Sequence, residues 1–357
     1  MAYELKPDYE VTEKRFEAFW HGEIIDRAPV NITLPKEKQE PVPDRVYPDH
    51  ESRWLDVDFR AEQQSRELAN FEYLGDALPI AFPNLGPEIF SAWCGCPYGF
   101  GETTTWSEPC IIDWEKDSSK AVLDMDHPLF KKTVKFTRNL LKLGKDRFIV
   151  GYTDFHPGGD HLAALRDPEV LAMDLIDHPE EVKTKLAESY RDFFRVFSFF
   201  YEILASAGMP STTWLPLIHS GKAYVPSNDF SCMVSTDMFR EFFLEGIREE
   251  CRFYDRSIYH LDGPGALRHL DDLLAIPELD AIQWVPGAGN EGFTKWIPIY
   301  KKIREAGKSV QVVHIEIDEL PVLFENFRPQ GIWLSSISGI DSRETAEAVL
   351  KRVAAWK

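Results

Sequence analysis

Between Ser257 and Val285 the chain reads as strand, turn, helix and strand, and no other stretch restricts the fold as much. Ser257 to Leu261 is a short apolar run with Tyr and Ile, which suits a buried strand. Asp262-Gly263-Pro264-Gly265 breaks it. From Ala266 to Leu274, apolar residues at 266, 267, 270, 273 and 274 form one face of a helix. Pro277 stops that helix, and Ala281 to Val285 is the next apolar run. Strand, crossover helix and strand make the βαβ unit from which parallel sheets are built.

The alternation extends over the chain. Apolar runs at 30–34, 147–152, 211–217, 230–233, 257–261, 281–285, 310–314 and 331–334 predict eight strands. Helical patterns at 128–143, 168–175, 179–206, 235–254, 292–306, 321–327 and 343–356 separate most of them. Asp341 or Ser342 is placed to cap the last helix. Eight parallel strands close into a cylinder, so the expected class is α/β, a (β/α)8 TIM barrel. The open doubly wound alternative wants a glycine-rich phosphate turn after an early strand, and no G-x-G-x-x-G stands there. No nucleotide cofactor is therefore expected. A single domain over 1–357 follows. Residues 1–145 form an N-terminal helical and aromatic-loop extension with the first strand, and 146–357 the regular repeats. Residues 75–113 interleave Gly and Pro with Phe82, Phe90, Trp93, Tyr98, Phe100 and Trp106, which reads as ordered loops able to cover a barrel mouth.

Composition limits the function classes. A net charge of −19 argues against a nucleic-acid partner. There is no apolar run of 18 residues for a membrane span, and Met-Ala-Tyr-Glu-Leu-Lys has no signal-peptide character. Five cysteines without a framework of spacings point to a reduced, cytoplasmic setting. Cys94-x-Cys96 has neither zinc-knuckle nor redox spacing and reads as buried thiols.

In parallel α/β folds, ligands bind at the strand exits. His260 and Asp262 lie two apart at one exit, so an extended backbone points both to one side. His314-x-Glu316 and Asp154-x-His156 repeat the spacing at two others. Three acid–histidine pairs on one rim suit a divalent metal or an acid–base site. The expected catalytic residues are His260, Asp262, Asp154 and His156. The expected metal ligands are His260, Asp262, His314 and Glu316, with a divalent metal as cofactor. His219 and Ser336 also sit at exits, and Tyr152, Trp214, Tyr224 and Trp284 are aromatics able to wall a pocket. Tyr152, Trp284, His219 and Ser336 are thus expected to bind a small-molecule substrate. Each feature also has a structural reading, as capped strand ends, solvated carboxylates or core aromatics.

Three stretches resemble the uroporphyrinogen decarboxylase superfamily. They are Gly151 to Val182, Asn228 to Phe243, and His260-Leu-Asp-Gly through Gly331-Ile-Trp-Leu-Ser-Ser-Ile-Ser-Gly-Ile, together about the last 210 residues. The superfamily contains the decarboxylase and the corrinoid-linked methyltransferases. The resemblance implies a TIM barrel and either methyl transfer, with a corrinoid protein as partner, or decarboxylation. The methyltransferases hold zinc with a His-x-Cys pair and a later Cys. Here the pair reads His260-x-Asp262 and the later position Ser338. The decarboxylase's Arg-Gln-Ala-Gly-Arg segment has no counterpart, although Asp26-Arg27-Ala28-Pro29 is present. Three functions follow as expectations: a methyltransferase acting with a corrinoid or small methyl donor; a metal-free decarboxylase or lyase for a tetrapyrrole or small carboxylic acid; and a non-catalytic corrinoid- or partner-binding barrel.

Overall fold

A computed structural model describes residues 3–357. We number eight of the strands β1 (Asn31–Pro35), β2 (Ile80–Ala81), β3 (Ile149–Val150), β4 (Ala223–Tyr224), β5 (Arg256–Asp262), β6 (Ala281–Val285), β7 (Ser309–Val312) and β8 (Ile332–Leu334). Strands β8, β7, β6, β5 and β4 form one five-stranded parallel sheet in that order. Strands β2 and β3 pair separately, also parallel. Val30, the residue before β1, bridges in parallel to Leu334 of β8, whereas β1 itself ladders antiparallel with Phe71–Gly75. Elsewhere the joints are looser. The Tyr152 amide donates to the Thr212 carbonyl at 2.8 Å, so residues 211–213 wedge between β3 and β4. Among the described residues no continuous ladder closes the ring.

The helices follow from their spacing. The long helix α4 (Pro179–Ser206) buries Phe193, Val196, Phe197, Phe200 and Leu204, positions three and four apart, against the sheet. Helix α1 (Tyr9–Trp20) seals the opposite side, with Phe16 and Phe19 edge-on to Trp333 of β8 at centroid distances of 5.0 and 5.9 Å. Two shorter helices, α3 (Gly158–Arg166) and α5 (Leu244–Phe253), complete the frame used below. No helix is long and apolar enough to cross a membrane.

Two of the expected strands are redrawn, and one strand stands where none was expected. Residues 211–217 are not a regular strand: only Ser211 bridges, antiparallel, to His219. Pro216 has no amide with which to continue a ladder. Residues Asp229–Met233 form a 3-10 turn rather than a strand, and the strand stands earlier, at β4. The Phe230 amide is taken by the Asp160 carboxylate at 2.8 Å, which removes it from any ladder. Strand β2 was hidden between Pro79 and Pro83. The final helix (Arg343–Ala355) is capped by Ser342, whose hydroxyl accepts from the Thr345 amide.

One carboxylate ties the N-terminal segment to the sheet. Asp76 is fully buried and accepts from Arg27, from Arg15 at 3.0 Å, and from the Val30 amide at 2.9 Å. Thr12 of α1 adds its hydroxyl at 3.3 Å. Removing one partner from a buried ion pair costs about 3–5 kcal/mol, because the other charge is left uncompensated. Asp76→Ala is therefore expected to lower the unfolding free energy by about that amount in urea titrations. A loss below about 1 kcal/mol would show that this cluster does not anchor the segment.

Candidate functional site

A cavity of about 580 Å³ opens at the strand exits, bounded by His260, Asp154, His156, Asp229 and the first turns of α3. Residues of the 75–113 region, including Glu88 and Phe90, cover it from one side. A left-handed Gly263, at φ 76°, ends β5 directly after Asp262, where a side chain is rarely tolerated.

The pairing of β5 with β6 sets His260. His260 lies opposite Gln283 in the ladder. Its Nδ1–H donates to Gln283 Oε1, which leaves Nε2 as a lone pair. That nitrogen is 3.9 Å from Asp229 Oδ1. Asp229, His260 and Asp262 each offer one ligand atom, and all three lie within 4.8 Å of one another. One imidazole and two carboxylates suit a divalent cation with open coordination positions. The ring of Trp214 stands edge-on to His260 at 5.3 Å.

A second constellation lies across the cavity. His156 Nε2 meets Asp154 Oδ1 at 2.9 Å. Burial alone would lower the His156 pKa, but the Asp154 bond and charge, with Asp160 and Glu250, outweigh it and raise the pKa to about 9. Asp160 accepts from the Phe230 amide and from the Ser227 hydroxyl at 3.3 Å. Burial and the neighbouring Asp229 push its carboxyl up. Behind this group, on α5, Glu250 is fully buried and neither oxygen has a hydrogen-bond partner. Burial pushes it up to about 8, with His156 opposing and Asp160 adding.

The other residues singled out in the sequence stand elsewhere. His314 and Glu316 pair with each other at 3.1 Å and are exposed. Strand β7 ends at Val312, and Ile315–Glu316 then joins Ile337–Ser338 in a separate parallel pair. This carries the two side chains out of the Asp229–His260–Asp262 group, and His314 lines a smaller cavity of about 280 Å³. Ser336 accepts the Ile315 amide through its carbonyl in the same detour. Tyr152 is buried and stacks on Phe197 at 4.7 Å. Trp284 is buried edge-on to Trp296 at 4.9 Å. His219 accepts the Gly221 amide at 3.0 Å and faces Glu17 at 3.7 Å. None of these four lines the larger cavity, whereas Trp214 does. Asp229 and Asp160 were missed. Asp229 lies five residues past the end of β4 and immediately before the run drawn as a strand, and Asp160 sits in the first turn after Gly158-Gly159.

No protein-family model matches the chain, and no curated protein matches it by sequence. Among solved structures it is similar to a methyltransferase from Methanosarcina mazei, with a TM-score of 0.60, 12% identity, 96% of this chain covered and 97% of that one. The likeness is one of fold.

Partners that orient a metal-binding imidazole typically change affinity 10–100-fold when removed. Gln283→Ala is expected to weaken zinc binding by roughly that factor in calorimetry. An unchanged affinity would mean that His260 does not ligate. Glu250 gives a second outcome. Its folded pKa lies above the usual 4.5, so its contribution is complete below pH 4.5 and fades as pH rises toward 8. Glu250→Gln stays neutral, so its melting temperature should fall less between pH 5 and pH 8 than that of the parent. Parallel curves would show that the group is ionised throughout.

Proposed function

We propose that the chain is a methyl-transferring enzyme of the uroporphyrinogen-decarboxylase-like kind, taking its methyl group from a corrinoid or a small donor. On this reading the eight numbered strands are an interrupted (β/α)8 barrel whose exits carry the chemistry. The observation that carries it is the Asp229–His260–Asp262 donor set at the cavity, in a fold shared with a methyltransferase. Two carboxylates and an imidazole fit a divalent metal, with Asp262 at the position of the superfamily's thiolate and no thiol among the three donors. A bound metal would supply a Lewis acid that lowers the pKa of a coordinated nucleophile.

The chain's own residues divide the remaining work. Gln283 fixes the His260 tautomer, so that Nε2 presents its lone pair. His156, protonated at neutral pH and steadied by Asp154, is placed to donate a proton to a leaving group. Phe90, Trp214 and Phe230 restrict water in the cavity.

A second reading is a metal-free lyase. It is favoured by the protonated His156 and the raised Asp160, which suit protonation of a carbanion. It is opposed, for a polycarboxylate substrate, by the absence of Lys and Arg among the cavity's lining residues.

The test is methyl transfer from methylcobalamin or a methylated small molecule to a thiol, followed by NMR. Transfer should require metal and fall at least about 100-fold in His260→Ala. Metal-loaded protein that transfers no methyl group, but releases carbon dioxide from a carboxylic acid, would replace the first reading with the second.

A further inference from the structure

We propose that this cavity selects a small organic cation, an ammonium ion, as its substrate. The inference rests on the reading of the cavity as the reaction site, but not on methyl transfer as the reaction.

The argument is one of charge balance. Glu88, Asp154, Asp160 and Asp229 line the cavity, and no Lys or Arg does. Asp154 is paired with His156 at 2.9 Å, and Asp229 faces His260 at 3.9 Å. Glu88 accepts the Ser107 amide at 2.6 Å and hydroxyl at 2.8 Å, bonds that do not cancel its charge. Asp160 takes an amide and a hydroxyl, and burial and Asp229 hold it toward its neutral form. A divalent metal held by Asp229 would still leave Glu88 without a counter-charge. The nearest buried ammonium, Lys185, is held by the Ser118 and Ala121 carbonyls and by Glu188. An anionic ligand entering here meets carboxylates without counter-charges, whereas a cation relieves them.

Two further features describe the ligand. Phe90, Trp214 and Phe230 give the cavity aromatic walls, and ring faces attract a cation that has lost its water. His161 is a separate sign of a ligand. It lines the same cavity, is 5% exposed, and stacks on Phe90 at 4.2 Å. Its Nδ1 is engaged by Ser189 Oγ at 2.8 Å, while its Nε2 has no partner. Burial and the Lys185 charge lower its pKa to about 3, so the ring is neutral and adds no positive charge. A buried ring nitrogen left unmatched is a site for a ligand's own hydrogen-bonding group.

The test is isothermal calorimetry on the full chain, metal-free and zinc-loaded. Tetramethylammonium and choline are compared with 3,3-dimethyl-1-butanol, the uncharged shape-match of choline, and with the 3,3-dimethylbutanoate anion. Choline is expected to bind at least about tenfold more tightly than the alcohol, and the anion more weakly than both. Glu88→Gln should remove most of that preference. Because Glu88 also holds the Ser107 amide, Trp214→Leu serves as a second variant and should weaken the cations more than the alcohol. Equal affinities for cation and alcohol, tighter binding of the anion, or no binding of either cation would overturn the proposal. Cation binding without methyl transfer would leave it standing and end the proposed reaction. Methyl transfer without cation preference would do the reverse.

Discussion

The register of β5 on β6 governs the site. With His260 opposite Gln283, one backbone alignment fixes a ring tautomer, points Nε2 into the cavity, and puts Asp262 two residues on toward the same side. A slip of one residue would send both side chains to the other face of the sheet. The ladder is locked by buried apolar neighbours, Ile258, Tyr259 and Leu261 on one strand and Ala281, Ile282 and Trp284 on the other. The local chemistry thus rests on packing that takes no part in it.

Charge is distributed unevenly between anchor and cavity. At the anchor, the buried carboxylate of Asp76 has two guanidinium partners and is balanced. At the cavity, acids gather without Lys or Arg, and burial pushes Asp160 and Glu250 toward their neutral forms. Groups placed against their own solvation in this way mark functional sites more often than structural ones. The N-terminal region contributes to both. It supplies Arg27 to the anchor and, through Glu88 and Phe90, one wall of the cavity.

Much of this was legible in the residues. The βαβ unit from Ser257 to Val285 shows in its punctuation, and β6 has the bounds its apolar run indicates. The placement of His260, Asp262, Asp154 and His156 at or past strand ends was legible, because period-two spacing sends each pair to one side. Asp229 was not, because the run beginning at Phe230 suggests a strand that the tertiary bond from Asp160 forbids. That contact spans 70 residues and leaves no local trace. His314 and Glu316 carry the same spacing as His260 and Asp262, but the short pair of Ile315–Glu316 with Ile337–Ser338 redirects them. Spacing within one strand reports side, whereas convergence between strands depends on where each leaves the sheet. The parallel class is likewise legible, but the gaps beside β3 and β1 are not, since they arise from segments such as 211–213 that fill the ring without joining it regularly.

The central claim is that Asp229, His260 and Asp262 together form a divalent-cation site. Anomalous diffraction at the zinc edge, from crystals grown with zinc, tests it most directly. The account predicts one strong peak about 2.0–2.2 Å from His260 Nε2 and from an oxygen of each carboxylate. A peak at His314 and Glu316 instead, or none beside His260, would contradict it.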